Sequence, residues 1–549
     1  MTTLRPAQLL LLFFAAACQG GRSDLSAADA DASFEATISV DADVLGRSVS
    51  RSIVGTNIQW VDGADELVSG WSFGGSASPL AGTGPDAALG HMLAPGLAAL
   101  APQMLRAVEE LAPGALRFPG GTNADVYHWR EGIGPLATRG TGEHVFRKEQ
   151  QRMVFGTGEF LALANRVGAE PIITVNVPSG TPEEASAWVR AVNVSGLSDP
   201  DARTVLSVDT TRTPPGTPRR VHYWEIGNEP YLREDLRPEL TLQPAEYAKR
   251  ATAIIKAMKA VDPTIAVGLP LRLDRLGAAP LVHFPGYAEI VLRQVSAPVD
   301  YLALHNAYLP LVYKGGPGGV RPDDEDLFRA TMAASRVVEA DFAAVRTFWK
   351  KLKPAQPLEL AVTEYGAMFT LGAELDGYAS SLGGALYLAD VLRVFANTPE
   401  LKLAAQWSLN GNGIFGAMTV RGVPRGSYEV MRAYSRAMRG RLARVSVDGP
   451  TFDSPAIGVV PAFTDTPVIS VLATVDTGGA RDAAPLRADS SPAASGTPDR
   501  VKRLRLLIQN KDFLREGKLT IRVRTDSLAG SEPTIEQALV LAPATGTKA

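Results

Sequence analysis

The stretch VHYWEIGNEP, residues 221–230, has the pattern of a buried β-strand that ends in an Asn-Glu-Pro turn. Seven other apolar runs also have the pattern of a buried strand, and a helical pattern or a long loop follows each of them. The eight runs are residues 53–60, 115–121, 171–177, 221–228, 265–270, 299–306, 358–366 and 401–409. Strands that are apolar on both faces and alternate with helices indicate a buried parallel sheet. We therefore predict an α/β fold in which residues 51–440 form a (β/α)8 TIM barrel.

The pattern changes after residue 440. Short alternating runs without a convincing helix predict a C-terminal antiparallel β-sandwich over residues 441–549. A low-complexity segment at 476–500 is predicted to be a disordered loop within it. An early strand in residues 34–50 has no place in an eight-strand barrel, so we predict that it joins the sandwich.

The N-terminus has the layout of an export signal. The only cysteine, Cys18, follows the apolar stretch LLLLFFAAA, which is too short to span a membrane. The string AAAC resembles a bacterial lipobox, in which the cysteine carries the lipid. We predict a signal peptide with a lipobox at 1–18 and a tether at 19–33. The protein is then an exported envelope lipoprotein of the outer membrane or cell surface, or a secreted protein if Cys18 is incidental to a plain signal peptide.

Composition excludes several classes of partner. The formal net charge is −3 and no basic block is present, so nothing predicts nucleic-acid binding. The six histidines show no metal-ligand spacing and no phosphate-binding loop opens a helix, so we expect no metal and no cofactor. The only membrane contact expected is the lipid anchor, and the oligomeric state is left open.

Two glutamates stand where a TIM barrel carries its active site, at the C-terminal ends of strands. Glu229 ends the fourth strand, and Glu364 ends the seventh strand in LAVTEYG. Hydrolysis of a glycosidic bond with retention needs two carboxyl groups about 5 Å apart, one as acid/base and one as nucleophile. We predict that Glu229 is the acid/base, protonated at rest, and that Glu364 is the nucleophile. Asn228 is placed to bind the sugar 2-hydroxyl.

Longer motifs carry a resemblance to a known family. RFPGGTNADVYHWREGIGP at 117–135, GTGEFLALANRVGAEPIITVN at 156–176 and GPTFDSP at 449–455 are similar to segments of family 51 α-L-arabinofuranosidases, which belong to clan A. The resemblance implies a barrel with a β-sandwich and a glycan substrate. It implies catalytic roles for the two glutamates, and sugar-binding roles for Arg117, Asn228 and Gln406.

The sequence departs from that family around the sugar. The asparagine expected after Pro-Gly-Gly is Thr122, with Asn123 one place later, and a first-strand glutamate is replaced by Gln59. The expected His-Tyr-Tyr run is His305-Asn306-Ala307, followed by Tyr308. We expect these changes to weaken activity on simple arabinofuranosides unless neighbouring residues compensate.

Three further residues are candidates for substrate binding, and each also has a purely structural explanation. His305 either orients a substrate hydroxyl or the acid/base, or is a hydrogen-bonded histidine at a strand end. Trp60 and Trp407, at the ends of the first and eighth strands, either stack on a sugar ring or pack at the barrel rim.

Other functions stay open at this point. A clan A β-glycosidase, such as a β-glucuronidase or xylosidase, would use the same two glutamates. A non-catalytic glycan-binding surface protein would keep the barrel mouth without turnover. Residues 70–74, GWSFG, match a serine-hydrolase nucleophile elbow, but the sequence predicts neither the strand before it nor the helix after it. Sugar, linkage and exo or endo action are not fixed by the sequence.

Overall fold

The computed structural model describes residues 8–15, 33–61, 102–134, 138–194, 220–232, 237–274, 283–313, 322–367, 370–371, 377–411, 415–419, 422–476, 503–512, 515–524 and 534–541. The lipidated Cys18, most of the tether, the GWSFG segment and most of the loop at 476–500 lie outside these residues. Within the described residues, no helix combines the length and apolar character needed to cross a membrane.

Eight parallel strands close into a barrel among the described residues. They are β1 (Gly55–Asn57), β2 (Ala115–Phe118), β3 (Glu170–Val175), β4 (Tyr223–Ile226), β5 (Ala266–Pro270), β6 (Tyr301–Leu304), β7 (Leu360–Ala367) and β8 (Leu401–Gln406). Each strand pairs with the next along the chain, and β8 pairs with β1 to complete the cylinder. The predicted TIM barrel is confirmed.

Helices alternate with these strands. They are α1 (Pro102–Leu111), α2 (Thr157–Val167), α3 (Pro182–Val189), α4 (Pro244–Val261), α5 (Tyr287–Gln294), α6 (Asp324–Ala333), α7 (Ser335–Leu352), α8 (Leu382–Asn397) and α9 (Gly426–Ala437). Short 3-10 turns lie at Arg51–Ile53, Thr122–Val126, Trp129–Gly132, Pro238–Leu240 and Tyr378–Ser380, and a π-helical turn lies at Arg190–Val194. A short strand, Ala307–Leu309, extends the barrel sheet by pairing with the end of β7. Short strands outside the barrel sheet are Thr141–Glu143, Gln150–Arg152, Val312–Tyr313 and Thr370–Leu371.

Helix α4 shows how a helix holds the site-bearing end of a strand. Pro244 occupies its first turn, where the missing backbone N–H costs no helical hydrogen bond. Its buried residues recur at helical spacing: Tyr247, Ala248, Ala251, Ile254, Ile255 and Met258. The Tyr247 hydroxyl donates to the carbonyl oxygen of Ile226 at 2.6 Å. This bond fixes the end of β4, three residues before Glu229.

A second domain is built on one seven-stranded sheet. Its strands, in spatial order, are Gly517–Arg524, Phe34–Ser48, Arg441–Asp448, Ile469–Asp476, Arg503–Asn510, Gln8–Ala15 and Thr534–Leu541. A separate two-stranded sheet pairs Thr451–Ser454 with Phe463–Pro467. The sequence predicted antiparallel pairing throughout. Among the described pairs, those of 34–48 with 517–524 and of 8–15 with both its neighbours are instead parallel. Strand direction differs because an alternating pattern specifies which face is buried and not which way the partner runs.

Residues 8–15, predicted to lie in the export signal, form a strand of this sheet. This pairing belongs to the chain with its N-terminus still attached. It does not test cleavage, so export stays a prediction.

A buried ionic cluster joins the second domain to the barrel. Asp390 of α8 accepts from Lys511 at 2.6 Å and from Arg393 at 2.6 Å, and it also accepts from the Ser335 hydroxyl. The side chains of Lys511 and Asp390 are 4% and 1% exposed. Burial opposes the charge of Asp390, but the two cations lower its pKa below its ordinary value. The carboxylate therefore stays ionised and holds the sheet against α8.

Candidate active site

Glu229 and Glu364 face one another across the barrel mouth. One carboxylate oxygen of each, together with a ring nitrogen of His305, lie within 4.8 Å of one another. Retaining glycosidases have carboxyl groups about 5–5.5 Å apart, whereas inverting enzymes leave roughly 6.5–9.5 Å for a water molecule. The spacing of this pair fits the retaining class.

A tight turn after β4 presents Glu229. Gly227 has φ +85° and Glu229 has φ +42°, in the left-handed region that side chains rarely adopt. Such a conformation costs on the order of 1–3 kcal/mol and persists where surrounding contacts enforce it. Here the bonds of the Glu229 carboxylate to His305 and Tyr231 supply those contacts.

Arg117 of β2 organises the floor of the site. Its fully buried guanidinium donates to Glu225 at 2.6 Å and to Glu364 at 2.9 Å. It also donates to Asn57 at 3.0 Å and to Asn228 at 2.9 Å. Burial opposes its charge, yet the two carboxylates together raise the pKa of Arg117 above its ordinary value. Arg117 is therefore a permanent cation.

Glu364 has two donors on its carboxylate. Arg117 donates to one oxygen at 2.9 Å, and the Tyr308 hydroxyl donates to the other at 3.0 Å. Burial and the charge of Glu229 raise the pKa of Glu364 above its ordinary value, and the charges of His305 and Arg117 limit that rise. Arg117 and Tyr308 hold the carboxylate from two sides, and the positive charge of Arg117 favours its ionised form.

Glu229 is held differently, by a titratable partner. His305 Nδ1 lies 3.0 Å from Glu229 Oε1, and the Tyr231 hydroxyl donates to the same oxygen at 3.0 Å. Burial alone would raise the pKa of Glu229, but the hydrogen bond and charge of His305 lower it below its ordinary value. Burial likewise opposes a charge on His305, but the facing carboxylates raise the pKa of the imidazole.

The expectation of a protonated Glu229 at rest is therefore corrected. The sequence placed only the charge of Glu364 near Glu229, which would favour the protonated acid. The structure adds His305 from β6 in direct contact. The lowered pKa of Glu229 and the raised pKa of His305 favour an ionised Glu229 beside a charged imidazole.

Three predicted sugar-binding residues, Asn228, Asn123 and Gln59, form two bonded groups. Asn228 accepts from Arg117, which fixes its amide beside the carboxylates. Asn123 donates to Gln59 at 2.9 Å and accepts from the backbone N–H of Val145 at 2.9 Å. Both ends of the Asn123 amide are thus engaged by the protein, so its place in the site is structural support for Gln59.

Three other candidates lie below or beside the opening. Gln406 is buried and donates to the carbonyl oxygen of Phe415 at 2.9 Å. Trp60 is 1% exposed and donates from its ring nitrogen to the carbonyl oxygen of Asn123, so it packs under the rim. Trp407 is half-buried, and its ring lies so close to Gly121 that a Cβ there would approach to 2.3 Å.

Asn306 and Thr122, two further positions that differ from the resembling family, have different surroundings. Asn306 is buried and donates to Asp341 of α7 at 3.3 Å, away from the carboxylates. Thr122 lines a pocket together with Asn228, Glu229 and Asp125. Glu364 is not among the described residues that line this pocket, so the pocket opens beside Glu229.

Sequence reasoning missed residues that complete the site. Glu225 of β4 and Thr363 of β7 are fully buried and bonded to one another, and Tyr231 contacts Glu229. The signal for Glu225 was available, because a charged residue inside an apolar strand requires a buried partner. Nothing in the sequence marked Tyr231.

Sequence comparison finds relatives for part of the chain. Residues 107–271 match the family model described as the α-L-arabinofuranosidase 1 domain. α-L-Arabinofuranosidase C of Emericella nidulans is 34% identical over 165 residues, which is 30% of this chain and 30% of that protein. The intracellular exo-α-L-arabinofuranosidase of Bacteroides ovatus is 26% identical over 294 residues, which is 53% of this chain and 52% of that protein. The matches thus span about a third to a half of the length of these relatives.

Solved structures share the fold over more of the chain. An α-L-arabinofuranosidase from Thermotoga maritima, solved with arabinose, aligns with a TM-score of 0.60 and 21% identity over 81% of this chain and 82% of that chain. A family 51 enzyme from Thermotoga petrophila aligns with a TM-score of 0.61 and 21% identity, over 81% and 83%. These alignments show the fold, and the sequence matches confirm the predicted similarity to family 51 α-L-arabinofuranosidases.

Proposed function

We propose that this protein is a retaining glycoside hydrolase of the α-L-arabinofuranosidase type. The observation that carries the proposal is the pair of glutamates at the barrel mouth, Glu229 in the turn after β4 and Glu364 within β7. One carboxylate oxygen of each lies within 4.8 Å of the other. Relatives named as α-L-arabinofuranosidases support the sugar. A retaining mechanism then assigns one role to each glutamate.

In the first step Glu364 attacks the anomeric carbon, and a covalent glycosyl–enzyme bond forms as the bond to the leaving oxygen breaks. Arg117 and Tyr308 hold the attacking carboxylate in place. The proton shared by Glu229 and His305 goes to the leaving oxygen through Glu229. The leaving group departs into the pocket beside Glu229.

In the second step Glu229 acts as base. It takes a proton from a water molecule, whose oxygen attacks the same carbon and displaces Glu364 as a carboxylate. Two inversions at one carbon give overall retention. The proton that Glu229 takes from water returns the pair of Glu229 and His305 to its resting protonation state.

The residues around the two carboxylates favour a low catalytic efficiency on simple arabinofuranosides. Asn123 is engaged by Gln59 and Val145, and Asn306 contacts Asp341. A sugar hydroxyl without its partner costs about 1–3 kcal/mol, or roughly one to two powers of ten in transition-state binding. We therefore expect turnover of nitrophenyl α-L-arabinofuranoside well below that of a typical family member. Higher turnover of the β-D-xyloside or β-D-glucuronide would instead support the clan A β-glycosidase alternative.

The catalytic pair is tested by chemical rescue. Glu364→Ala should abolish turnover of an activated aryl glycoside, and added azide should restore it with formation of a glycosyl azide of inverted configuration. Glu359→Ala is the matched control, because Glu359 lies just before the N-terminal end of β7 and pairs with Lys402. Near-normal activity in Glu364→Ala would end the nucleophile assignment. Absence of turnover of every glycoside by the wild type would favour a glycan-binding protein.

We also propose that the chain is exported and anchored by lipid at Cys18. The support is the sequence pattern of residues 1–18 alone. The substrate would then be an extracellular or envelope-accessible oligo- or polysaccharide.

A further inference from the structure

A buried chain of hydrogen bonds runs behind His305, on the side away from Glu229. His305 Nε2 lies 3.0 Å from Thr363 Oγ1, and the Thr363 hydroxyl donates to Glu225 Oε1 at 2.9 Å. The other oxygen of Glu225 accepts from Arg117 Nε at 2.6 Å. All of these side chains are buried, so water does not compete for the bonds.

The direction of each bond in this chain is fixed. A hydroxyl has one hydrogen to donate, and Glu225, ion-paired with Arg117, accepts it. The Thr363 oxygen is left to accept, and the donor facing it is Nε2 of His305. Nε2 therefore carries a hydrogen whether the ring is neutral or charged, and Nδ1 is the nitrogen that titrates.

This tautomer has a consequence for Glu229. Nδ1 lies 3.0 Å from Glu229 Oε1. One proton between these two atoms makes a hydrogen bond, whether it is carried by the imidazole or by the carboxyl group. If that proton is lost, the Nδ1 lone pair faces a carboxylate and the contact becomes repulsive. A ring free to carry its hydrogen on Nδ1 would avoid this repulsion. We propose that Thr363 and Glu225 lock the tautomer of His305, and that the pair of His305 and Glu229 thereby keeps its catalytic proton to higher pH.

Other groups also face the imidazole and must be held constant in a test. They are Glu225 at 3.9 Å from Nε2, Glu364 at 3.7 Å from Nδ1, the Tyr231 ring at 6.5 Å between centroids, and the more distant charge of Arg117. Arg272 acts on the same pair through its charge near Glu229. Substitution at Thr363 changes none of these charges.

The test is the pH dependence of kcat/KM for an aryl glycoside, and this readout rests on the proposed hydrolase function. Thr363→Val removes the acceptor of Nε2–H, so the ring can switch tautomer and the pair loses its proton more easily. We expect the basic limb to move to lower pH, with a roughly tenfold loss on that side beyond any loss at the plateau. Thr363→Ser keeps the hydroxyl and should follow the wild-type profile. A purely structural role would lower the rate equally at every pH.

The tautomer itself is measured without any activity. The protein with 15N-labelled histidine is compared with a His305→Gln variant to assign the ring, and the nitrogen shifts are followed through the basic limb. We expect the neutral ring of the wild type to carry its hydrogen on Nε2. A hydrogen on Nδ1, or an unmoved basic limb in a folded Thr363→Val, would overturn the proposal. If no glycoside is turned over, the spectrum still decides the tautomer while the hydrolase assignment fails separately.

Discussion

In the proposed mechanism, the Tyr308 hydroxyl contributes most when Glu364 leaves the covalent intermediate. Its oxygen lies 3.0 Å from Glu364 Oε2 and donates to it. Negative charge returns to that carboxylate in the second step, so the bond strengthens in the transition state of that step. A hydrogen bond to a charged group contributes about 1.5–3 kcal/mol. Tyr308→Phe should therefore lower kcat roughly 10- to 150-fold, because each 1.36 kcal/mol is a factor of about ten.

The same substitution should change the pH profile in a defined direction. Burial raises the pKa of Glu364, and the bond from Tyr308 is among the contacts that lower it. Without the hydroxyl the pKa of Glu364 rises further. Because the nucleophile must be ionised to attack, the acid limb of kcat/KM should move to higher pH.

Rapid mixing with an activated aryl glycoside provides the assay. Slower breakdown of the intermediate should give a burst of released phenolate and a KM that falls together with kcat. Tyr428→Phe is the matched control, since that hydroxyl donates to the carbonyl oxygen of Ala107 at 2.7 Å and touches neither carboxylate. A kcat within about twofold of wild type, or an acid limb that moves to lower pH, would refute the role given to Tyr308.

The remaining predictions concern the domain contact and the anchor. Asp390→Asn should destabilise the protein by about 3–5 kcal/mol, because it leaves the buried Lys511 without its carboxylate. Lys511→Met should lower the free energy of unfolding by less, because Asp390 keeps its ion pair with Arg393. Urea unfolding followed by tryptophan fluorescence will rank the two variants. A larger loss in Lys511→Met would contradict the assigned cluster. Cys18→Ser should shift the protein from the membrane to the aqueous fraction or block its processing, and a wild type that is already soluble with its mature N-terminus elsewhere would exclude the lipid anchor.

The barrel could be predicted because its strands are short apolar runs with a clear boundary. The run at 221–228 contains the observed strand Tyr223–Ile226, and the run at 401–409 contains Leu401–Gln406. The carboxyl ends of such strands share one face in any TIM barrel. The approach of Glu229 to Glu364 therefore follows from strand order alone, without knowledge of a single side-chain contact.

The partners of those glutamates could not be predicted in the same way. His305 reaches Glu229 from β6, and Thr363 reaches Glu225 from β7. These contacts depend on which residues of each strand point inward at the same height in the barrel. Pattern alone does not set that height, since it depends on the stagger of all eight strands. The expected protonation of Glu229 failed for this reason.

The residues expected to bind the sugar could not be predicted reliably, for a related reason. Asn123 looked like a replacement for the residue lost at Thr122, because it is adjacent in sequence and chemically suitable. In the structure its amide is used at both ends, by Gln59 and by the backbone N–H of Val145. A side chain of the right type near the right position supports binding only if its hydrogen-bonding groups are not already engaged by the protein.

The two glutamates can be told apart by the counter-charges that hold them. A nucleophile must be ionised when it attacks and again when it departs, and Glu364 is bonded to Arg117, which cannot lose its proton. An acid/base must lose and regain a proton in each cycle, and Glu229 is bonded to His305, whose charge changes with that proton. Exchanging the roles would pair the proton donor with a permanent cation, which disfavours its protonated form. The proposed assignment therefore rests on the kind of partner that each carboxylate has, in addition to its place at the barrel mouth.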